Sequence, residues 1–282
     1  MDTTKTITHL SLCTGYEGIG LGLRRVLPNL REIAYVEREG FACSNLVAKI
    51  ESGQLDEAPI FTDVKTFPYG KFLGKVSVLS GGFPCQPFSA AGKRQATEDP
   101  RHLFPYIRDG IRDCQPRIVF LENVEGIISA KTGDGESVLQ YVLRELEGLG
   151  YRATAGVFSA SEVGAPHQRK RVYILGISNA IGSRLRGGRC SEERGDDIKR
   201  LQGNKGKRHK LRGETKGCGL NFQFPVRPNE PQHKWEEPRV KSRLGRATNG
   251  TASRVDRLRL LGNGVVPATA AKAFLTLINR FL

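Results

Sequence analysis

Hydrophobic residues in the first 176 positions fall into short runs separated by glycine, proline and charged clusters. "ITHLSL" (7–12), "EIAYV" (32–36), "VSVLS" (76–80), "RIVFL" (117–121) and "RVYILGI" (171–177) are compact apolar runs bounded by turn residues, as buried parallel strands are. Stretches with helical spacing lie between them: "GLGLRRVL" after the first, "GFACSNLVAKIES" after the second, and "ESVLQYVLRELEGLG" (136–150). In the last, Leu139, Val142, Leu143, Leu146 and Leu149 share one face, and Gly150 stands where a C-terminal capping glycine belongs. Strands alternating with helices predict an α/β fold with a Rossmann-like, doubly wound, mostly parallel sheet. No internal repeat is visible.

The pattern changes after Ile177. Between residues 182 and 219 the only aliphatic side chains larger than alanine are Leu185, Ile198, Leu201 and Leu211. So few cannot offset the entropy of ordering the segment, so loops or partial disorder are expected there. "FQFPVRPNEPQHKWEEP" (222–238) reads as extended and irregular. Pro267 suits a first helical turn, after which Ala270, Ala271, Phe274, Leu277, Ile278 and Phe281 form an apolar face. Three regions are expected: a main domain over 1–177, a small irregular basic region over 178–250, and a segment over 251–282 that packs back on the main domain.

Composition narrows the class. A chain of 282 residues, 38% hydrophobic, supports one large domain and a smaller one. Its longest apolar run falls far short of the ~18–20 residues of a membrane span. "MDTTKTITHLSLC" has no basic stretch followed by a long apolar one, so no signal peptide is expected. Six scattered cysteines without C-x-x-C or a Cys/His cluster argue against a metal site and a disulfide framework, and fit a reducing cytoplasm. Net charge is +15, and residues 177–250 hold 18 Lys+Arg against 8 Asp+Glu. The segment is either a solvated basic loop or a polyanion-binding element; a charge this concentrated favours the second.

Candidate chemistry gathers at strand ends. In "GGFPCQPFSAAGK" (81–93), Cys85 stands between two prolines just beyond a strand. Pro84 and Pro87 fix two φ angles and remove two donors, which holds the thiol where a nucleophile would go; a structural turn is the alternative. Ligands of open α/β sheets bind beyond the carboxyl ends of the strands. There "CTGYEGIG" offers Gly15, Gly18 and Gly20 for a tight turn. Glu37 ends the second strand, as an acid for a ribose hydroxyl would. Asp63 lies in "FTDV", and Glu122–Asn123 follow "RIVFL". Five such ends on one rim suggest a Rossmann-like enzyme with a nucleotide-like cofactor.

These residues resemble the cytosine-C5 DNA methyltransferases, which use S-adenosyl-L-methionine. "LCTGYEGIGLG" is similar to the family's first motif, "VEREG" to the second and "TDV" to the third. "GGFPCQPFSAAGKR" is similar to the fourth and most specific, "RHLFPYI" to the fifth, "FLENVEGI" to the sixth and "GAPHQRKRVYILG" to the eighth. "RVDRLRLLGNGVVP" covers the ninth and tenth. The resemblance runs from about residue 7 to the C-terminus, apart from roughly 178–250. It implies Cys85 as nucleophile, Glu122 as the residue that holds cytosine and protonates its ring nitrogen, and Arg169 and Arg171 as catalytic arginines, Arg171 near the base carbonyl. It places Cys13, Gly15, Gly18, Glu37, Asp63, Val64, Leu103, Asn263 and Val265 on the cofactor side, and Gln86, Ser89 and Asn123 toward the flipped nucleotide. The basic block falls where the family places target recognition. The implied partner is double-stranded DNA, in the cytoplasm of a bacterial or phage-infected cell, with restriction–modification as one setting; we expect a monomer without metal or membrane.

The chain departs from the family's pattern at several positions. Cys13 replaces a phenylalanine that packs on adenine, Glu17 a glycine, and Arg38 a large apolar residue. His167 and Lys170 replace a glutamine and a glutamate. A carboxylate at Glu17 is expected to repel the methionine carboxylate or distort the turn, so that Glu17→Gly would tighten cofactor binding. The rival readings are a tRNA cytosine-C5 methyltransferase, a non-catalytic DNA-binding relative, and a thiol oxidoreductase. The last lacks a second cysteine placed to resolve Cys85.

Overall fold

The computed structural model describes residues 6–84, 103–180, 224, 231, 234 and 251–281. In chain order the elements are β1 (Ile7–Leu12), α1 (Gly18–Arg24), β2 (Leu30–Val36), α2 (Gly40–Glu51), β3 (Ile60–Phe61), β4 (Val78–Gly82), α3 (Phe104–Cys114), β5 (Ile118–Val124), α4 (Val138–Gly148), β6 (Tyr151–Phe158), β7 (Arg171–Ser178), α5 (Thr251–Asn263) and α6 (Pro267–Ile278). The expected region 178–250 lies almost wholly outside the described residues.

The strands form one seven-stranded sheet in the order β3-β2-β1-β4-β5-β7-β6. Strands β3 to β5 pair in parallel, whereas β7 runs antiparallel to both β5 and β6. The mostly parallel sheet read from the sequence is therefore correct, with one reversed strand. Strand β6 was not legible: it is the sheet edge and most of its positions are half-buried, so "YRATAGVF" carries no continuous apolar run.

Helices cover both faces. On one, Leu10, Leu12, Leu79, Val119 and Leu121 meet Ile107 and Ile111 of α3 and Val142 and Leu146 of α4. On the other, Val78, Phe120 and Tyr173 meet Leu23 of α1 and Phe274 and Leu277 of α6. Helix α2 packs beside α1 through Leu46, Tyr35 and Leu21. Helix α4 starts at a capping box, in which Ser137 accepts from the Gln140 N–H and Gln140 reaches back to the Ser137 N–H. It is followed by Gly150 at φ 84°, the left-handed position a capping glycine takes. The stretch Val255–Ile278 has the length and apolarity of a membrane span. It is two helices broken before Pro267, however, and α6 buries Ala268, Ala270, Ala271, Ala273, Phe274, Leu277 and Ile278 against the sheet. Its apolar composition there serves the core.

Contact between α1 and α6 depends on Gly22, where a Cβ would lie 2.8 Å from the Ala270 Cβ and 2.5 Å from the Pro267 carbonyl. Gly22→Ala must therefore push the two helices apart, and we expect it to destabilise the fold by about 1–3 kcal/mol. The check is urea unfolding, where the midpoint should fall with an unchanged slope.

Candidate active site

Four parallel strands end on one rim, and the α5–α6 turn closes over it. Cys13, Thr14 and Gly15 follow β1 and Glu37 follows β2. Phe83 and Pro84 follow β4, and Glu122 and Asn123 end β5. Gly262, Asn263, Gly264 and Val265 form the opposite wall. Together they enclose a cavity of about 330 Å³, within the range of small-molecule sites.

The first loop is held by its own backbone and by one carboxylate. Gly15 sits at φ 57°, and its N–H donates to Glu37 Oε2 at 2.7 Å. The Glu39 N–H donates to Glu37 Oε1 at 2.8 Å. From α2, Lys49 Nζ donates to the Tyr16 carbonyl at 2.7 Å. The loop then reaches the C-terminal wall, where the Tyr16 hydroxyl donates to the Val265 carbonyl. A Cβ on Gly18 would collide with that carbonyl, and one on Gly264 with the Tyr16 ring. Arg169 donates to the carbonyls of Gly262, at 2.7 Å, and Gly264. Arg259 pairs with Glu39 at 2.8 Å across the rim.

The other end of the cavity holds a buried carboxyl. Glu122 is 6% exposed, with Arg171 Nε 3.1 Å from its Oε1. Burial pushes its carboxyl up to about 7, although Arg171 and Arg169 act in the opposite direction. Asn123 Nδ2 donates to the Phe83 carbonyl at 2.9 Å, and its Oδ1 accepts the Val124 N–H at 2.8 Å. That pins the chain one residue before Pro84. Burial, aided by Glu37 and Asp63, pushes the Cys13 thiol up to about 12, so Cys13 is a neutral wall residue.

Of the residues singled out from sequence, Cys13, Gly15, Gly18, Glu37, Glu122, Asn123, Arg171, Asn263 and Val265 line the cavity. Cys85, Gln86 and Ser89 lie outside the described residues. Asp63 is beside Cys13 without lining the cavity, and accepts the Lys65 N–H at 2.9 Å. Val64 is in the core, and Leu103 packs against that core just before α3. Arg169 reaches the 262–264 carbonyls rather than the cavity.

Glu17 does not face the cavity either. It is 1% exposed and folds beneath α1 toward Ser11 and His9, so direct repulsion of a ligand carboxylate, expected from sequence, is not what this side chain does. Sequence reasoning missed Tyr16, Glu39, Arg259 and the glycines at 262 and 264. Tyr16, Glu39, Arg259 and Gly264 owe their roles to contacts across more than 200 positions, and Gly262 to one across 93, which no local pattern encodes.

The family described as C-5 cytosine-specific DNA methylase matches residues 7–272. The chain is 29% identical over 187 residues to the type II methyltransferase M.PspPI of Psychrobacter sp. (strain TA137), covering 66% of this chain and 43% of that protein. It is 31% identical over 172 residues to M.NgoMIV of Neisseria gonorrhoeae, covering 61% and 52%. The chain thus spans about half the length of these curated relatives. Its fold is similar to the crystal structure of the S. pombe Dnmt2 methyltransferase, with TM-score 0.51, 21% identity, and 67% of this chain and 58% of that one covered. It is also similar to a putative DNA modification methyltransferase encoded within an E. coli prophage, with TM-score 0.50, 21% identity and coverage of 66% and 49%.

Arg171 acts to lower the Glu122 pKa, so removing its charge must raise it. In Arg171→Gln the Glu122 midpoint should move upward from about 7, by about one unit, whereas Arg171→Lys should shift it less. Carboxyl ¹³C titration of the two variants against the parent reads the shift.

Proposed function

The chain belongs to the C-5 cytosine-specific DNA methylase family, and from that premise we propose that it transfers the methyl group of S-adenosyl-L-methionine to carbon 5 of cytosine in double-stranded DNA. One observation carries the reading: a single cavity joins a carboxylate-anchored glycine loop to a buried Glu122 beside the chain that leads into Pro84–Cys85.

The residues present fit that cofactor. Each Glu37 oxygen accepts one backbone N–H, and a carboxylate has about four lone-pair sites. Two therefore remain for the adjacent hydroxyls of a ribose. Cys13, Gly15 and Gly18 line the neighbouring wall, with Asn263 and Val265 opposite. When bound, the cofactor supplies a methyl group made electrophilic by its sulfonium.

Carbon 5 of cytosine is a weak nucleophile. In this reading the Cys85 thiolate adds to carbon 6, which makes carbon 5 enamine-like. A free thiol has a pKa of about 8.5, so the site must favour the thiolate. Glu122 gives its proton to the ring nitrogen as the thiolate adds, which avoids a full negative charge on the ring. With its pKa near 7 it holds that proton in a substantial fraction of molecules at neutral pH. In this reading Arg171, already on Glu122, also holds the base carbonyl as charge develops. Carbon 5 would then take the methyl group, its S–CH3 bond breaking to leave a neutral thioether, and the ring nitrogen would return its proton to Glu122. A base then takes the proton from carbon 5, and those electrons expel the Cys85 thiolate. Duplex DNA hides these atoms, so the base must be flipped out, at about a few kcal/mol. The cations of residues 177–250 can offset this through phosphate contacts.

The substrate test is incubation with duplex DNA and tRNA and methyl-labelled cofactor; label in tRNA alone would overturn the DNA reading. The chemistry has its own test. Fluorine at carbon 5 cannot leave as a cation, so duplexes substituted with 5-fluorocytosine should trap a protein–DNA adduct that survives boiling in detergent, and only with cofactor present. Cys85→Ser should give no adduct, because a neutral hydroxyl is a far weaker nucleophile. Glu122→Gln should give it at least about a hundredfold more slowly, because an amide cannot deliver the proton.

A further inference from the structure

Beneath the cofactor loop, on the α1 face of the sheet, five buried polar side chains meet: His9, Ser11, Glu17, Glu32 and Ser80, none more than 3% exposed. His9 Nε2 lies 2.8 Å from Ser80 Oγ. His9 Nδ1 lies 3.4 Å from Glu32 Oε1 and 3.8 Å from Glu17 Oε1. Ser11 Oγ donates to Glu17 Oε2 at 2.7 Å. Arg24 reaches both oxygens of Glu32 and also Asp56. Lys49 feels the Glu17 charge but gives its hydrogen bond to the Tyr16 carbonyl. Glu17 Oε1 is buried with no hydrogen-bond partner.

That unpartnered oxygen belongs to the cofactor loop itself. Glu17 sits at φ 68°, between Gly15 and Gly18, which line the cavity. A side chain in the left-handed region persists only where its surroundings hold it there. Here the hold is the carboxyl: it lies over Gly20, where any Cβ would collide with Oε1. An ionised Glu17 in this place would face the Glu32 carboxylate with Arg24 already committed to Glu32 and Asp56. A proton on Oε1 turns the unpartnered acceptor into a donor toward the Glu32 carboxylate, and removes the unmatched charge. The same donor atoms lie close enough for a cation, but the Arg24 guanidinium already supplies the positive charge on Glu32.

We propose that Glu17 is a positioning residue for the cofactor loop and that it acts in its neutral, protonated form, so that cofactor affinity depends on the proton it carries. This rests on the reading that the cavity takes S-adenosyl-L-methionine. Burial, with Glu32 adding to it, pushes the Glu17 carboxyl up to about 7 against the opposing effects of His9, Ser11 and Arg24. The charged or titratable groups facing it are His9 from β1, Glu32 and Tyr35 from β2, Arg24 from α1 and Lys49 from α2. As pH rises through about 7 the proton is lost, the receptive loop becomes a smaller fraction of the population, and apparent affinity falls by that fraction.

Calorimetry of the full chain with S-adenosylhomocysteine, from pH 6 to 8.5, tests this. Wild type should bind about thirtyfold more weakly at the upper end. Glu17→Gln carries a neutral donor and should hold at pH 8.5 the affinity that wild type has at pH 6. Glu17→Gly relieves the backbone but leaves Ser11 and His9 facing a void, and should bind more weakly than Glu17→Gln throughout. Glu122 titrates in both wild type and Glu17→Gln, so their difference isolates Glu17. A ligand-free readout accompanies it. The folded pKa lies above the ordinary 4.5, so wild type should lose stability relative to Glu17→Gln as pH rises from about 4.5 to 7, and no further above it. A Glu17→Gln protein with the wild-type slope, or a Glu17→Gly protein that binds as tightly as Glu17→Gln, would overturn the proposal. Absence of binding by wild type at every pH would instead overturn the cofactor reading, and the stability comparison would still judge the state of Glu17.

Discussion

Direct backbone contact between the loop at 15–18 and the segment at 262–265 is the constraint on which the site depends. Neither side can carry a Cβ at its point of closest approach, Gly18 on one and Gly264 on the other. Immediately beyond each, Gly22 and Pro267 bring α1 and α6 together in the same close manner. The cavity wall is thus the continuation of a helix–helix contact. Residues almost 250 positions apart must meet before the cavity has its second wall, so the cavity forms only as the C-terminal helix docks.

Electrostatics then divides the site. Glu37, Glu32 and Glu122 all lie at or near strand ends, yet each has a different partner. Glu37 takes two backbone N–H groups, which fixes the loop. Glu32 takes the Arg24 guanidinium, which together with His9 and Asp56 holds its carboxyl well below the usual range despite burial. Glu122 has Arg171 on one oxygen only, and there burial wins. Unlike Glu32, Glu122 has its carboxyl raised toward neutral pH. Arg171 keeps that pKa from rising further, so the acid stays within reach of neutral pH.

Legibility followed the range of the cause. Strands β2, β4, β5 and β7 announced themselves because burial on both faces favours apolar runs, and β1 by its alternating leucines bounded by turn residues. The α4 cap was legible because its chemistry lies within a few residues. Glu37 and Glu122 were legible because the end of a parallel strand is a fixed place in this kind of sheet. Strand β6 was hidden by its edge position. The inward turn of Glu17 was hidden because its partners come from β1 and β2; only the alternation of His9 and Ser11 with Leu10 and Leu12 betrays a polar face on a buried strand. The family resemblance marked Glu17 as unusual but not where it points.

The two arginines at the start of β7 show how one local conformation joins both halves of the site. Residues two apart on an extended strand point the same way, and on that rule Arg169 and Arg171 would both face Glu122. Arg169 instead has φ 37°, which breaks the alternation just before the strand begins. Arg171 therefore reaches Glu122, while Arg169 reaches the carbonyls of the 262–264 wall. The residue that holds Glu122 and the residue that holds the 262–264 wall are thus fixed to one short piece of backbone. A displacement of that piece must disturb both at once, which makes the entry to β7 the physical link between Glu122 and the 262–264 wall.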